Sequence, residues 1–260
     1  MNPETYKNIM QRLTKFEKTK IFKLAREGIS LNKISEITKK SKSTLYYHIS
    51  HLVRKNSVVD IKRLTEWERG YLLGVFFGDG HLDFREKTYS YRVVFSLNKK
   101  GEQKIANRIL SILKKAGGKP YIVLFKNPRN KNLLRIVCVS KNLYEFCKNN
   151  VVYKIKAEFR GMKNVRKKSH LKNIDFNSDF IYGFIGGLID SDGYISNDLT
   201  TTISTSSAKF VTQLSQIFKK IGLKISVYFN KKVDSYTLRI KTADYRKVIK
   251  SVKAIKGPVV

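Results

Sequence analysis

Gly70, Gly74 and Gly78 are spaced by four, and so are Gly183, Gly187 and Ser191, at a constant offset of 113 residues. Asp79-Gly80 follows the first triplet and Asp192-Gly193 the second, at the same offset. The residues between are almost all apolar: Tyr71-Leu72-Leu73 and Val75-Phe76-Phe77 in one copy, Phe184-Ile185-Gly186 and Leu188-Ile189-Asp190 in the other. An internal repeat constrains a fold more than composition does, because both copies must build one unit and then pack against each other. The likeness runs on downstream. Lys114-Lys115-Ala116-Gly117 resembles Lys219-Lys220-Ile221-Gly222, and Ser140-Lys141-Asn142-Leu143-Tyr144 resembles Lys241-Thr242-Ala243-Asp244-Tyr245. The offset shrinks along the way, so the second copy is shorter, mainly in its first hairpin. The expected molecule is a fused pseudo-dimer: one chain, a monomer, with internal two-fold symmetry.

Residues four apart share one helix face. Small residues there let two helices approach to backbone contact. If the two repeat helices meet through Gly70/Gly74/Gly78 and Gly183/Gly187/Ser191, then Asp79 and Asp192 arrive together at one end of the pair. Gly80 and Gly193 are expected to end the helices in the usual glycine cap. Two adjacent carboxylates repel unless a cation lies between them. Oxygen-only ligands favour a hard ion, magnesium or a relative such as manganese. The structural alternative is two ordinary buried helices with acidic ends. The helix macrodipole opposes an Asp at a C-terminus, and its repetition at matched positions favours a functional reason.

Lys plus Arg number 53 against 20 Asp plus Glu, a formal net charge of +33. So large an excess points to a polyanionic partner, nucleic acid first. A membrane surface would call for a basic amphipathic helix or a lipid anchor, which the sequence lacks. A thermophile surface would raise both charge signs together. The two cysteines, Cys138 and Cys147, form no metal or disulfide pattern. MNPETYKNIM carries no apolar signal core, and no apolar run approaches the ~20 residues that span a bilayer. The expected location is the cytoplasm of a prokaryote or another DNA-containing compartment such as an organelle, with no membrane partner.

Leu72-Leu73-Gly74-Val75-Phe76-Phe77-Gly78-Asp79-Gly80 resembles the nine-residue motif of the LAGLIDADG homing endonucleases. Ile185-Gly186-Gly187-Leu188-Ile189-Asp190-Ser191-Asp192-Gly193 resembles it more closely. The resemblance covers residues 65 to 260 and implies several things. Asp79 and Asp192 would be the catalytic, metal-binding acids, and the carbonyls of Gly78 and Ser191 would join the coordination. The earlier motif Asp is Phe77 in one copy and Asp190 in the other, where it reads as a solvated or structural carboxylate. Two saddle-shaped sheets would lie in the DNA major groove, with contacts from Arg92, Lys126, Arg135, Tyr228, Asn230, Thr237, Arg239 and Lys241. Each of these could equally be a solvated surface residue. A basic residue near each scissile phosphate is also implied, with Lys99, Lys154, Lys156, Lys253 and Lys256 as candidates.

The fold class is therefore α+β: two αββαββα modules with antiparallel sheets, preceded by a small all-α domain. Helices are expected at 66–78, 100–116, 141–149, 177–191, 207–221 and 243–254. Paired strands are expected at 81–86/90–97, 119–126/133–140, 193–197/200–205 and 223–230/235–241. Ile225, Val227 and Phe229 alternate with Ser226, Tyr228 and Asn230, while Leu238 and Ile240 alternate with Thr237, Arg239 and Lys241. That period gives one buried and one polar sheet face. The modules are placed at 61–160 and 161–260, joined by a basic linker at about 160–176.

Residues 1–60 lack the repeat. Ile21, Leu24 and Ala25, then Leu31, Ile34 and Ile37, then Leu45, Ile49, Leu52 and Val53 mark three helix faces. Gly28 would close the first, Ser30 would cap the second, and Ser41 or Ser43 would open the third. The segment resembles a helix-turn-helix, with Ser43, Thr44, Tyr46 and Tyr47 on the DNA-binding helix beside Lys42, Ser50 and Arg54. A plain three-helix packing domain is the alternative. His48 and His51 lack a visible third metal ligand.

The function implied is metal-dependent double-strand cleavage of double-stranded DNA at a long site, a phosphodiester hydrolase activity. Two alternatives share the fold: a DNA-binding regulator that has lost cleavage, and a maturase whose partner is intron RNA. Both motif acids are present, which favours the enzyme.

Overall fold

The computed structural model describes residues 13–27, 29–49, 59–86, 90–125, 132–155 and 167–256, with backbone alone at 153–155 and 167–168. The chain divides into two compact units, Met1–Ser57 and Val58–Val260.

In the first unit, α1 (Lys15–Arg26), α2 (Leu31–Thr38) and α3 (Lys42–Ile49) follow in order. Thr14 and Glu17 form a reciprocal capping box at the start of α1. Ser30 accepts from Lys33 N to cap α2, and Ser41 accepts from Thr44 N at the start of α3. The three-residue turn between α2 and α3 opens at Lys39, in left-handed conformation (φ 54°). Leu13, Ile21, Ala25, Ile34, Leu45 and Ile49 form a small core. Ile37, expected in it, is instead 42% exposed. It sits in the last turn of α2, at the edge of the side formed by Leu31, Ile34, Ser35 and Thr38. Gly28, Ser50, His51, Leu52, Val53 and Arg54 lie outside the described residues.

The second unit contains both repeat copies, each an αββαββα run as the repeat implied. The first has α4 (Glu66–Asp79), β1 (Gly80–Arg85), β2 (Ser90–Asn98), α5 (Gln103–Lys115), β3 (Tyr121–Leu124), β4 (Leu133–Val139) and α6 (Lys141–Asn150). A hairpin of β5 (Val151–Ile155) and β6 (Lys167–Leu171) follows. The second copy has α7 (Ser178–Asp192), β7 (Gly193–Ile195), β8 (Thr201–Thr205), α8 (Ala208–Lys220), β9 (Ile225–Asn230), β10 (Ser235–Ile240) and α9 (Thr242–Val252). Both four-stranded antiparallel sheets share one topology, β1-β2-β4-β3 and β7-β8-β10-β9. The second copy is shortened where expected: β7 and β8 have three and five residues against six and nine in β1 and β2.

The two motif helices run parallel, in backbone contact. A Cβ on Gly70 would strike the Phe180 carbonyl oxygen and stand 2.8 Å from Phe184 N; one on Gly74 would strike the Phe184 carbonyl and stand 2.8 Å from Leu188 N. Reciprocally, Gly183 lies on Trp67 and Gly187 on Tyr71 and Val75. Rising numbers meet rising numbers, so both C-termini share one end. Around this pair, buried Tyr71, Leu72, Phe76, Phe184, Ile185 and Leu188 join the inner sheet faces in one core.

Three expectations need correction. Gly80 and Gly193 are not left-handed caps: both are extended (φ −93° and −98°) because each helix runs straight into a strand. Their need for glycine is steric, since a Cβ would collide with Phe76 or stand 2.5 Å from Ile189 Cα. Next, the alternation in β9 does not bury its apolar face. Val227 and Phe229 are 43% and 48% exposed; β9 is the edge strand, and the helix layer does not reach past Ile225. In β10, Leu238 and Ile240 are buried as expected. Finally, the basic linker ends in structure. Lys167–Leu171 pairs with Val151–Ile155, and Leu171 is buried with its N–H and carbonyl both bonded to Gln213.

Candidate active site and nucleic-acid interface

The parallel helix pair delivers the repeated acids to one place. Asp79 and Asp192 are each the last residue of their helix. A Cβ on Gly78 would meet Ser191 Oγ and lie 2.9 Å from Asp192 Oδ2, so the Asp192 carboxylate reaches across onto the other copy's motif. Asp79 is half-buried and Asp192 exposed. The oxygen donors at this end are the two carboxylates and the carbonyls of Gly78 and Ser191. Among the described residues, no cluster of three or more His, Cys, Asp and Glu forms a fuller metal cage. Lys256 Nζ donates to the Ser191 carbonyl at 2.8 Å and lies 3.3 Å from Glu102 Oε1. Of the basic candidates whose side chains are described, Lys256 is therefore the one placed at the motif end. Lys253 instead stands over the Trp67 ring at 5.8 Å. Lys99 is exposed in the turn after β2. The side chains of Lys154 and Lys156 lie outside the described residues.

Asp190 was read as solvated or structural, and it is fully buried. It accepts from Tyr71 Oη (2.8 Å) at one oxygen and from Ile255 N (2.6 Å) and Lys256 N (2.9 Å) at the other. Arg108 Nη1 stands 3.7 Å away, donates to the Lys253 carbonyl, and its guanidinium covers the Trp67 and Tyr71 rings. Burial raises the Asp190 pKa above the usual carboxylate range, with the hydrogen bonds from Lys256, Tyr71 and Ile255 and the Arg108 charge pulling it back. The matched position in the first copy, Phe77, stacks on Phe210 at 3.9 Å. The signal that marks Asp190 in sequence is a carboxylate inside an apolar run that must face the core.

The outer faces of the two sheets are polar and differ. On the second, Tyr194, Thr202, Tyr228, Asn230, Thr237 and Arg239 line an open groove of about 970 Å³. Strand pairing sets Thr237 opposite Tyr228 and Ser204, and Arg239 opposite Ser226 and Thr202. Lys241, just past β10, lines the adjoining surface with Tyr228 and Arg239. The expected set is thus brought together on one face. Asp198 stands at its rim, its pKa lowered to about 2 by hydrogen bonds from Ser196 and Thr200.

On the first sheet, Arg92 and Arg135 share the outer face with buried Val94 and Val137 beneath them. Arg92 is held by Asp83 at 2.9 Å and by the Tyr121 hydroxyl at 3.3 Å. Its Nη1 is close enough to Asp83 for an ion pair; among the described residues, neither Nη1 nor Nε has an aligned acceptor, and neither does Arg135 Nε. Arg135 lies over the Phe125 ring at 4.7 Å. The Asp83 partnership was not anticipated, and Lys126 lies outside the described residues.

In the N-terminal unit, Tyr46 and Tyr47 are 47% and 66% exposed on α3, beside exposed Lys42 and Ser43. Thr44 is half-buried, its hydroxyl 2.8 Å from Ser41 Oγ. No helix among the described residues is long and apolar enough to cross a membrane.

A family model described as a LAGLIDADG-like domain matches residues 179–253. An uncharacterized protein of Methanocaldococcus jannaschii is 25% identical over 165 residues, 64% of this chain and 52% of that protein; the chain thus spans about half the length of this curated relative. Among solved structures, the crystal structure of I-DmoI in complex with DNA and Mn is similar, with a TM-score of 0.52 and 19% identity over 72% of this chain and 96% of that one. A variant of I-DmoI in complex with its target DNA in the presence of Mg has a TM-score of 0.53 and 20% identity, covering 72% and 96%. At such identities the likeness speaks for the fold.

Proposed function

We propose that the chain is a member of the LAGLIDADG family, as the LAGLIDADG-like domain at residues 179–253 suggests, and that it is a site-specific DNA endonuclease that makes a metal-dependent double-strand break. The observation that carries this reading is the parallel, glycine-packed helix pair that sets the Asp192 carboxylate against Gly78, at the end where Asp79 also lies. The donor set fits magnesium or manganese: it is all oxygen and incomplete, leaving positions for water and phosphate. Asp79 and Asp192 would hold the ions with help from the Gly78 carbonyl, while the Ser191 carbonyl already serves Lys256. A divalent ion bound there would activate water and stabilise charge developing on the scissile phosphate. The solved relatives bound to DNA with Mn or Mg are consistent with that ligand pair.

The chain's own residues supply the rest. Lys256 places an ammonium beside the acids. The two sheets present Arg92, Arg135, Tyr228, Asn230, Thr237, Arg239 and Lys241 to base edges and phosphates, as strands in a major groove can. Ser43, Thr44, Tyr46 and Tyr47 on α3 add a second DNA-reading element. A monomer with two-fold internal symmetry suits one cut on each strand.

The test is a cleavage assay with magnesium on a library of double-stranded targets and on the flanks of the encoding locus, with Asp79→Asn and Asp192→Asn alongside. The expected result is a specific double-strand cut by the wild type, absent in both variants, with DNA binding retained. Binding without any cut under magnesium or manganese would reassign the chain to the non-cleaving regulators, or, if intron RNA is bound more tightly than DNA, to the maturases.

A further inference from the structure

Two matched positions, Phe77 and Asp190, break the symmetry of the site. Phe77 stacks on Phe210, and its side chain has no polar atom with which to hold a backbone N–H. Asp190 takes the backbone N–H groups of Ile255 and Lys256, three and four residues past the end of α9. Those two bonds fix where the chain runs after α9, and that path aims Lys256 Nζ at the carbonyl that precedes Asp192. Tyr71, from the other copy, donates to the opposite oxygen, so both motif helices brace the clamp.

Resting on the endonuclease reading above, we infer that Asp190 is a positioning residue for one of the two strand cuts: through the Ile255–Lys256 backbone it holds the Lys256 ammonium at the Asp192 end of the site, and the first copy has no carboxylate at the matched position, Phe77. Asp190 bonds the Lys256 backbone rather than its ammonium, and so acts on that ammonium through the tail. The two half-sites are then chemically unequal, and loss of the clamp slows one strand.

The experiment uses the full chain, magnesium and a target recovered from the cleavage library, with each strand end-labelled separately. Asp190→Ala removes both acceptors; Asp190→Asn retains an amide oxygen for the two backbone N–H groups and covers the case in which the alanine variant fails to fold. Removing a group that orients a functional residue at a metal site typically costs 10–100-fold. The expected outcome is a loss of about that size on one strand, the same strand in Asp190→Ala and in Lys256→Met, with the other strand little changed and Asp190→Asn intermediate. A readout independent of cutting accompanies it: acetylation of Lys256, followed by mass spectrometry against exposed Lys250, should rise in Asp190→Ala. Equal slowing of both strands, or unchanged Lys256 reactivity, would overturn the inference while leaving the endonuclease reading intact. A wild type that cuts neither strand would sink both, and the acetylation result would then report only whether the clamp exists.

Discussion

Gly74 and Gly78 lie one helical turn apart on the same face, and replacing each with alanine should break different things. At Gly74 the added methyl meets backbone: the Phe184 carbonyl and, at 2.8 Å, Leu188 N. Alanine brings about 1 kcal/mol of helix propensity in its favour. Overpacking costs about 1–3 kcal/mol where side chains can shift aside. Backbone in the middle of the core's central helix cannot rotate away, which places Gly74→Ala at or above the top of that range. The net expectation is a destabilisation of at least about 2 kcal/mol, a fall of roughly 4–8 °C in Tm for a unit of this size. At Gly78 the methyl meets Ser191 Oγ, Ser191 Cβ at 2.6 Å and Asp192 Oδ2 at 2.9 Å. The carboxylate can turn, but Ser191 Cβ is fixed to its helix and its hydroxyl is bonded to the Gly187 and Leu188 carbonyls, so stability should fall by about 1–3 kcal/mol, while the Asp192 carboxylate is pushed from its place and cleavage is lost. Gly101, whose Cβ would meet nothing within 4 Å, supplies the control, within about 0.5 kcal/mol of wild type. Thermal and urea unfolding followed by circular dichroism, with cleavage assayed on the same samples, reads both effects. A Gly74→Ala protein as stable as the Gly101→Ala control would refute the backbone-contact argument.

Other outcomes can be checked independently. Burial pushes the Cys138 thiol up to about 12 and raises Cys147 as well, so at pH 8 both thiols should react with a disulfide reagent only as the protein unfolds; rapid labelling in native buffer would contradict this. With a net charge of +33, DNA affinity should fall about 10³–10⁵-fold between 50 and 200 mM salt, measured by fluorescence anisotropy; a flat salt profile would remove phosphate contacts from the account. A chain lacking residues 1–57, the first compact unit, should bind DNA more weakly yet still cut with magnesium, and a folded truncation unable to cut would show that the helical unit takes part in the reaction. Trp67→Phe deletes the bond from Trp67 Nε1 to the Ser251 carbonyl (2.8 Å) and should cost about 1–2 kcal/mol, read by urea unfolding.

What could be read from the sequence rested on period and repetition. The four-residue spacing of Gly70, Gly74 and Gly78, met again at Gly183, Gly187 and Ser191, specifies close helix contact because only small residues permit it. The doubled Asp-Gly then locates the acids, and the alternation in β10 locates a sheet face. These are local steric facts, carried by neighbouring residues. Tertiary structure decided matters that depend on distant neighbours. The alternation in β9 could not announce an edge strand, since exposure there depends on how far the helix layer extends. The lysines of β6 look like a linker until Val151–Ile155 lies alongside them. Gly80 and Gly193 mark the helix ends in either reading, but their extended backbone follows from the strand each helix feeds. The partners of Arg92 and Asp190 lie across strands or more than sixty residues away, at Asp83, Tyr71, Ile255 and Lys256. A buried carboxylate chooses its donors by where folding brings backbone N–H groups, which no spacing along the chain encodes.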